Sequence, residues 1–280
     1  MPDASRPALR RSPFRVAAEA LPATPRGDGS ITRLLDILDL FSVECPVVRV
    51  DDVQARLGYT KSTAYRYVKA LCDAGLLAPA ATGAYSLGPR IVELDRLMRL
   101  ADPLLQAGEA VLPALAAAVP NSMVLICSLY RDKVLCVHKE GPEAIATEGG
   151  AIRILRARGL PLPLFQGAAS LVILAHLPQH RTRSLFLARQ AEIAAAGLGD
   201  DWPGVRSRLA AIRRDGHVTT VGRFNRHLAA LSVPIIARDG ERVVGSLTRI
   251  MAAPEFLALS HDALLAQLRN GAVATAAKLS

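Results

Sequence analysis

The sequence predicts an α+β fold: an N-terminal winged helix-turn-helix, a linker helix and a C-terminal α/β effector domain. Three observations carry this. A length of 280 residues gives a prior of about two domains. Three helical patterns and a hairpin fit between residues 29 and 88. Beyond residue 103, helical and strand-like segments alternate, which favours mixed α/β layers over a second bundle.

Residues 1–28 are rich in Pro, Ala and Arg without an apolar period, and read as a disordered basic tail. Its arginines (Arg6, Arg10, Arg11, Arg15) also faintly resemble an organellar transit peptide. From there Ile31, Leu34, Leu35, Leu38 and Phe41 recur at helical spacing, with Ser30 as N-cap and Pro46 as the stop. Asp51 or Asp52 caps a short second helix that buries Val53 and Leu57 and closes at Gly58. Thr60 caps a third helix over 61–74, and Gly75 ends it. Strands at 76–78 and 84–87 turn at Thr82 and Gly83 and complete the domain at 29–88. Residues 89–102 form an inter-domain helix with Ile91, Leu94, Leu97 and Met98 on one stripe. In 103–280, helices are expected at 104–119, 167–177, 203–214 and 261–279, and hairpins at 123–130 with 134–139 and 231–237 with 242–249.

The third helix carries the chemistry. At 3.6 residues per turn, Ala64, Tyr67, Val68 and Leu71 fall on one side, and Ser62, Arg66, Lys69 and Asp73 on the other. Between Arg56 and Lys69 stand four basic residues and no acid. Such a cylinder fits the major groove, with its N-terminal residues at base edges and the preceding helix across the backbone. Its first N–H groups, with the Ser62 and Thr63 hydroxyls, suit a phosphate. Arg66 suits a guanine edge, Lys61 and Lys69 suit phosphates, and Tyr65 suits a phosphate or a thymine methyl. The bland reading of this helix is an amphipathic surface element with a solvated face. The net charge of +9 does not locate the site: 1–30, 31–100 and 101–280 carry +2, +1 and +6.

Other chemistry is sparse. Cys45, Cys72, Cys127 and Cys136 have no C-x-x-C spacing, so a disulfide scaffold, a zinc ribbon and a thioredoxin-type site are excluded and a reduced, cytoplasmic protein is expected. Apolar stretches at 170–175 and 229–237 are far too short to span a membrane. Phosphate-loop, dinucleotide, nucleophile-elbow and H-E-x-x-H motifs are missing. His176 and His180 stand four apart, but Pro178 breaks the helix that would align them on a metal. No cofactor, no metal and no enzymatic activity are expected. The competing class is a metabolite-binding module or enzyme that uses its winged helix for protein contact.

Residues 58–71 (GYTKSTAYRYVKAL) resemble the recognition segment of the IclR-type bacterial transcription regulators, and 85–90 (YSLGPR) resemble their second wing strand and linker start. Further landmarks are similar and in the same order: 159–164 (GLPLPL), then Ala168, Leu174, Ala175, Leu177 and Pro178, then 210–216 (AAIRRDG) and 231–234 (LSVP). The resemblance implies a GAF-like effector domain with a cavity closed by the 159–164 loop. By position it places Gly167, Ala168 and Ala169 at a helix start, with Thr220, Ala230 and Thr248, around a small-molecule effector. A helix N-terminus favours a carboxylate, hence an organic or aromatic acid. The implied partner is double-stranded DNA, a palindromic operator bound by a homodimer or homotetramer, with no membrane.

The chain also departs from that family. Gln54 stands where a small residue is usual and Ala64 where a larger one is, an exchange that would conserve volume between the two helices. The wing at 76–89 has no Lys or Arg. Arg223 replaces an acid and would favour an anion if it pointed inward, although a surface position is the expectation. The strands around 124–126 and 233–236 are expected to be core rather than cavity lining.

Overall fold

A computed structural model describes residues 29–154 and 158–279, and the tail expected over 1–28 lies outside the described residues. The chain divides into two compact units, Met1–Arg96 and Leu97–Ser280.

In the first unit, helix α1 (Ser30–Asp36) is shorter than its apolar spacing suggests. The chain then tightens into a 3-10 turn, Leu38–Leu40, so that Ile37 and Leu40 enter the core while Ile31 stays 78% exposed. Ser30 is not the cap. Gly29 holds that position, and the Ser30 hydroxyl pairs with the Tyr67 hydroxyl at 3.1 Å. Next come strand β1 (Val47–Arg49), helix α2 (Val50–Leu57), helix α3 (Lys61–Asp73) and strands β2 (Leu77–Ala81) and β3 (Ala84–Leu87). Strand β1 is absent from the sequence reading; it pairs antiparallel with β3 and makes the wing a three-stranded sheet, β1-β3-β2. Gly58 closes α2 at φ +69°, a left-handed conformation that a side chain would strain. Leu57 is only half-buried, and Val50 joins Val53 in the core instead. Gln54 turns its amide to the Asp51 carboxylate at 3.3 Å, while Ala64 is fully buried.

Helix α4 (Arg90–Ala101) buries none of its residues, and Leu94, Leu97 and Met98 lie exposed along it. The second unit continues with helix α5 (Pro103–Ala118), strands β4 (Ser122–Tyr130), β5 (Lys133–Glu140), β6 (Ala144–Thr147), β7 (Gly150–Arg153) and β8 (Pro161–Leu162), and helices α6 (Ala168–His176), α7 (Gln179–Ala188), α8 (Gln190–Ala195) and α9 (Trp202–Asp215). Strands β9 (Val218–Val221), β10 (Leu228–Ile236) and β11 (Val243–Ala252) and helices α10 (Ala253–Ala258) and α11 (His261–Ala277) end it. Six strands form one antiparallel sheet in the order β8-β5-β4-β11-β10-β9.

Strand alternation feeds two cores. On β4, Met123, Leu125 and Cys127 pack toward α6 and α9, whereas Val124 and Ile126 pack toward α5 and α11. This helix–sheet–helix sandwich explains why these strands read as unbroken apolar runs. One polar group interrupts the second core. Arg249 is 1% exposed, donates from Nη1 to the Ser122 hydroxyl at 2.6 Å and from Nη2 to the Leu115 carbonyl at 2.9 Å. Burial lowers its pKa to about 10, which leaves it charged at neutral pH.

Candidate nucleic-acid interface and effector cavity

Helix α3 is set by both its ends and its middle. The Thr60 hydroxyl oxygen accepts the Thr63 N–H at 3.4 Å and fixes the start. Ala64, Tyr67, Val68 and Leu71 are buried against the rest of the domain. That anchoring turns Lys61, Ser62, Tyr65, Arg66 and Lys69 outward, all five exposed on one continuous face. Thr63 differs: it is half-buried, and its hydroxyl accepts from Thr60 at 2.9 Å, so it serves the cap first. The Arg66 guanidinium lies over the Tyr67 ring, 5.2 Å from its centroid. Tyr67 is itself held edge-on to Tyr59 at 5.9 Å, so the arginine rests on a braced aromatic pair.

In the second unit, the 159–164 loop contributes β8, pinned to β5 through Leu162 opposite Val134. The chain then turns at Gly167 with φ +79° and ψ 155°, a region almost restricted to glycine. A Cβ there would lie 2.5 Å from the Phe224 ring. Behind this turn lies a cavity of about 40 Å³. Its walls include Gly167, Ala168, Ala169, Thr220, Ala230 and Thr248, so all six positions named from the sequence face one space. Strand register brings the last three together: Ala230 lies opposite Thr220, and Ser232 opposite Thr248.

The cavity is mostly apolar, with a few polar groups and no charged side chain in its wall. Thr248 Oγ1 pairs with Ser232 Oγ at 2.8 Å. Ser170 Oγ also lines the cavity and is buried, with no hydrogen-bond partner among the described residues. The leading N–H groups of α6 have no intrahelical acceptors. Together these offer several donors and no side-chain cation. Arg223 is exposed and donates to the Ala196 carbonyl at 2.8 Å, so it does not face the cavity. Val124, Ile126 and Ile235 are core as expected, but Leu125 lines the cavity through strand alternation, and Val233, Pro234 and Ile236 line a separate cavity of about 530 Å³ against α11. Sequence reasoning missed Leu125, Gln166, Ser170, Phe224 and Ile250. Strand alternation could have signalled Leu125 and Ile250, and Gln166 and Ser170 flank the helix start already named; Phe224 is set by long-range packing.

The described residues hold no group of three or more His, Cys, Asp or Glu able to bind a metal, and no described helix is long and apolar enough to cross a membrane. Residues 30–80 match the model of the IclR helix-turn-helix domain. The HTH-type transcriptional regulator KipR of Bacillus subtilis is 24% identical over 218 residues, 77% of this chain and 83% of that one. The HTH-type transcriptional regulator Rv1719 of Mycobacterium tuberculosis is 26% identical over 238 residues, 80% and 88%. Among solved structures, an IclR transcriptional regulator of Silicibacter superposes with a TM-score of 0.70 at 20% identity, covering 90% of this chain and 96% of that one. An IclR homolog of Microbacterium hydrocarbonoxydans, complexed with 4-hydroxybenzoate, gives 0.66 at 22% identity, covering 90% and 99%.

Proposed function

This chain belongs to the DNA-binding transcription regulators of the IclR type, and from that premise we propose that a small carboxylic acid in the α6 cavity controls its binding to a palindromic operator. The observation that carries this reading is that the α6 N-terminus, Ser170, Thr220 and Thr248 all line one cavity. An anion there meets backbone N–H groups and the positive end of a helix dipole. The bound 4-hydroxybenzoate of the Microbacterium homolog is itself a carboxylate. A cavity of about 40 Å³ is well below the ~150 Å³ that takes up a benzene ring. A short aliphatic acid fits with little rearrangement, and an aromatic one needs Phe224 to move.

On DNA, the exposed face of α3 enters the major groove, with Arg66 at a base edge and Lys61 and Lys69 at phosphates. The protein acts as a homodimer or homotetramer, presenting recognition helices about 34–36 Å apart or a multiple of that. The unburied apolar stripe of α4 favours a second copy as its cover. To test this, an operator is selected from random duplexes with the full chain, and its affinity is measured with acetate, butyrate and benzoate. At least one acid is expected to change operator affinity and to raise the melting temperature. At 100 times its dissociation constant the stabilisation is about 2.7 kcal/mol. Acids that stabilise the protein yet leave operator affinity unchanged would overturn the coupling.

A further inference from the structure

The hairpin beside the recognition helix carries no cation of its own: residues 76–89 include neither Lys nor Arg. The structure brings one in from the neighbouring strand. Arg49 ends β1 opposite Ala84 of β3, and its Nη2 donates to the Thr82 carbonyl at the wing tip at 3.5 Å. The side chain is exposed, and no carboxylate pairs with it among the described residues.

Nothing local asks for an arginine here. Arg49 occupies the N-cap of α2, in extended conformation at φ −96° and ψ 157°. That position favours Ser, Thr, Asp or Asn, and a cation there opposes the positive end of the helix dipole. The work of a cap is done by others. The Asp52 carboxylate accepts the Arg49 N–H at 2.8 Å, and Val50 N–H donates to the Gly83 carbonyl at 3.3 Å. Apart from its long 3.5 Å bond to the Thr82 carbonyl, the guanidinium takes no part in capping α2 and is set against a local rule, the pattern of a residue kept for function. In a helix-turn-helix, the helix before the recognition helix crosses the phosphate backbone. Arg49 and Arg56 mark the two ends of that helix, both exposed.

We infer that Arg49 supplies the phosphate contact of the wing, binding the DNA backbone beside the Thr82–Gly83 tip without reading sequence. This rests on the DNA-binding reading of α3. The test uses the full chain and fluorescence anisotropy on two duplexes of about 30 base pairs, one selected as operator and one unrelated, with salt raised from about 50 to 200 mM. Arg49→Thr installs a preferred cap, so its melting temperature should equal or exceed that of the parent. Its affinity should fall about three- to ten-fold on both duplexes alike, and the slope of log K against log salt should drop by about one for each bound protomer. Arg49→Lys, which keeps the charge, should preserve the slope. An unchanged slope in Arg49→Thr, alongside weakened operator binding in Arg66→Ala, overturns the Arg49 assignment and leaves the DNA reading standing. A loss confined to the operator duplex makes Arg49 a base contact and also overturns it. If neither Arg49→Thr nor Arg66→Ala alters binding, the interface itself is misplaced.

Discussion

Helices α3 and α6 present the same backbone device, a helix start whose first N–H groups lack intrahelical acceptors (one of them, Thr63, capped by Thr60 in α3), to two very different surroundings. Three cations lie along the solvent face of α3, Lys61, Arg66 and Lys69, and its apolar side is anchored in the core. Seven of the nine residues of α6 are buried, and none is Lys, Arg, Asp or Glu. The first helix can act at a distance through water and is screened by salt. The second acts only on what enters its cavity, where short hydrogen bonds are strengthened by a low dielectric. If each helix holds an anion as proposed, its environment, more than the backbone motif, decides which kind.

The largest effect that separates the two sites is ionic. Operator affinity should fall about 10³-fold or more between about 50 and 200 mM salt if a dimer neutralises six or more phosphates. Affinity for the small acid, measured by calorimetry over the same range, should stay nearly flat. Equal salt dependence at both sites would erase the distinction. Next in size is the cavity wall. Gly167→Val adds backbone strain of about 1–3 kcal/mol and drives a side chain into Phe224, so both the melting temperature and acid binding should drop. Phe224→Ala should do the reverse for bulk, admitting benzoate more tightly relative to acetate in thermal-shift titrations; unchanged selectivity would show that the ring does not limit the cavity. The smallest effect is titration. Burial pushes the imidazoles of His176, the last residue of α6, and His138 below the usual histidine range. The unfolded chain then takes up protons before the folded one, so stability should decline as pH falls below about 6.5. His176→Gln should flatten part of that decline in pH-dependent melting curves.

The two regions also differ in how much the sequence discloses. In α3, periodicity places Ala64, Tyr67, Val68 and Leu71 inside and leaves Lys61, Ser62, Tyr65, Arg66 and Lys69 outside, because one helix face against water is a local pattern. In α1 the same logic misplaces Ile31, since the change to 3-10 geometry after Asp36 resets the phase. Strand β1 has only three residues and draws its stability from β3, far along the chain, so no local pattern marks it. The cavity positions emerged from resemblance rather than periodicity. Phe224, which resemblance did not supply, lies on a loop that only the folded sheet brings against α6, whereas Ser170 simply follows the small residues already named.

One pair of neighbours on β11 joins the two sides of the sheet. Thr248 lines the cavity with its hydroxyl paired to Ser232, and Arg249, one residue on, reaches the opposite way to grip the Leu115 carbonyl near the end of α5. Backbone between adjacent residues is stiff, and both side chains are almost wholly enclosed. One buried guanidinium thus ties the strand that walls the cavity to the last turn of a sixteen-residue helix on the other face of the sheet.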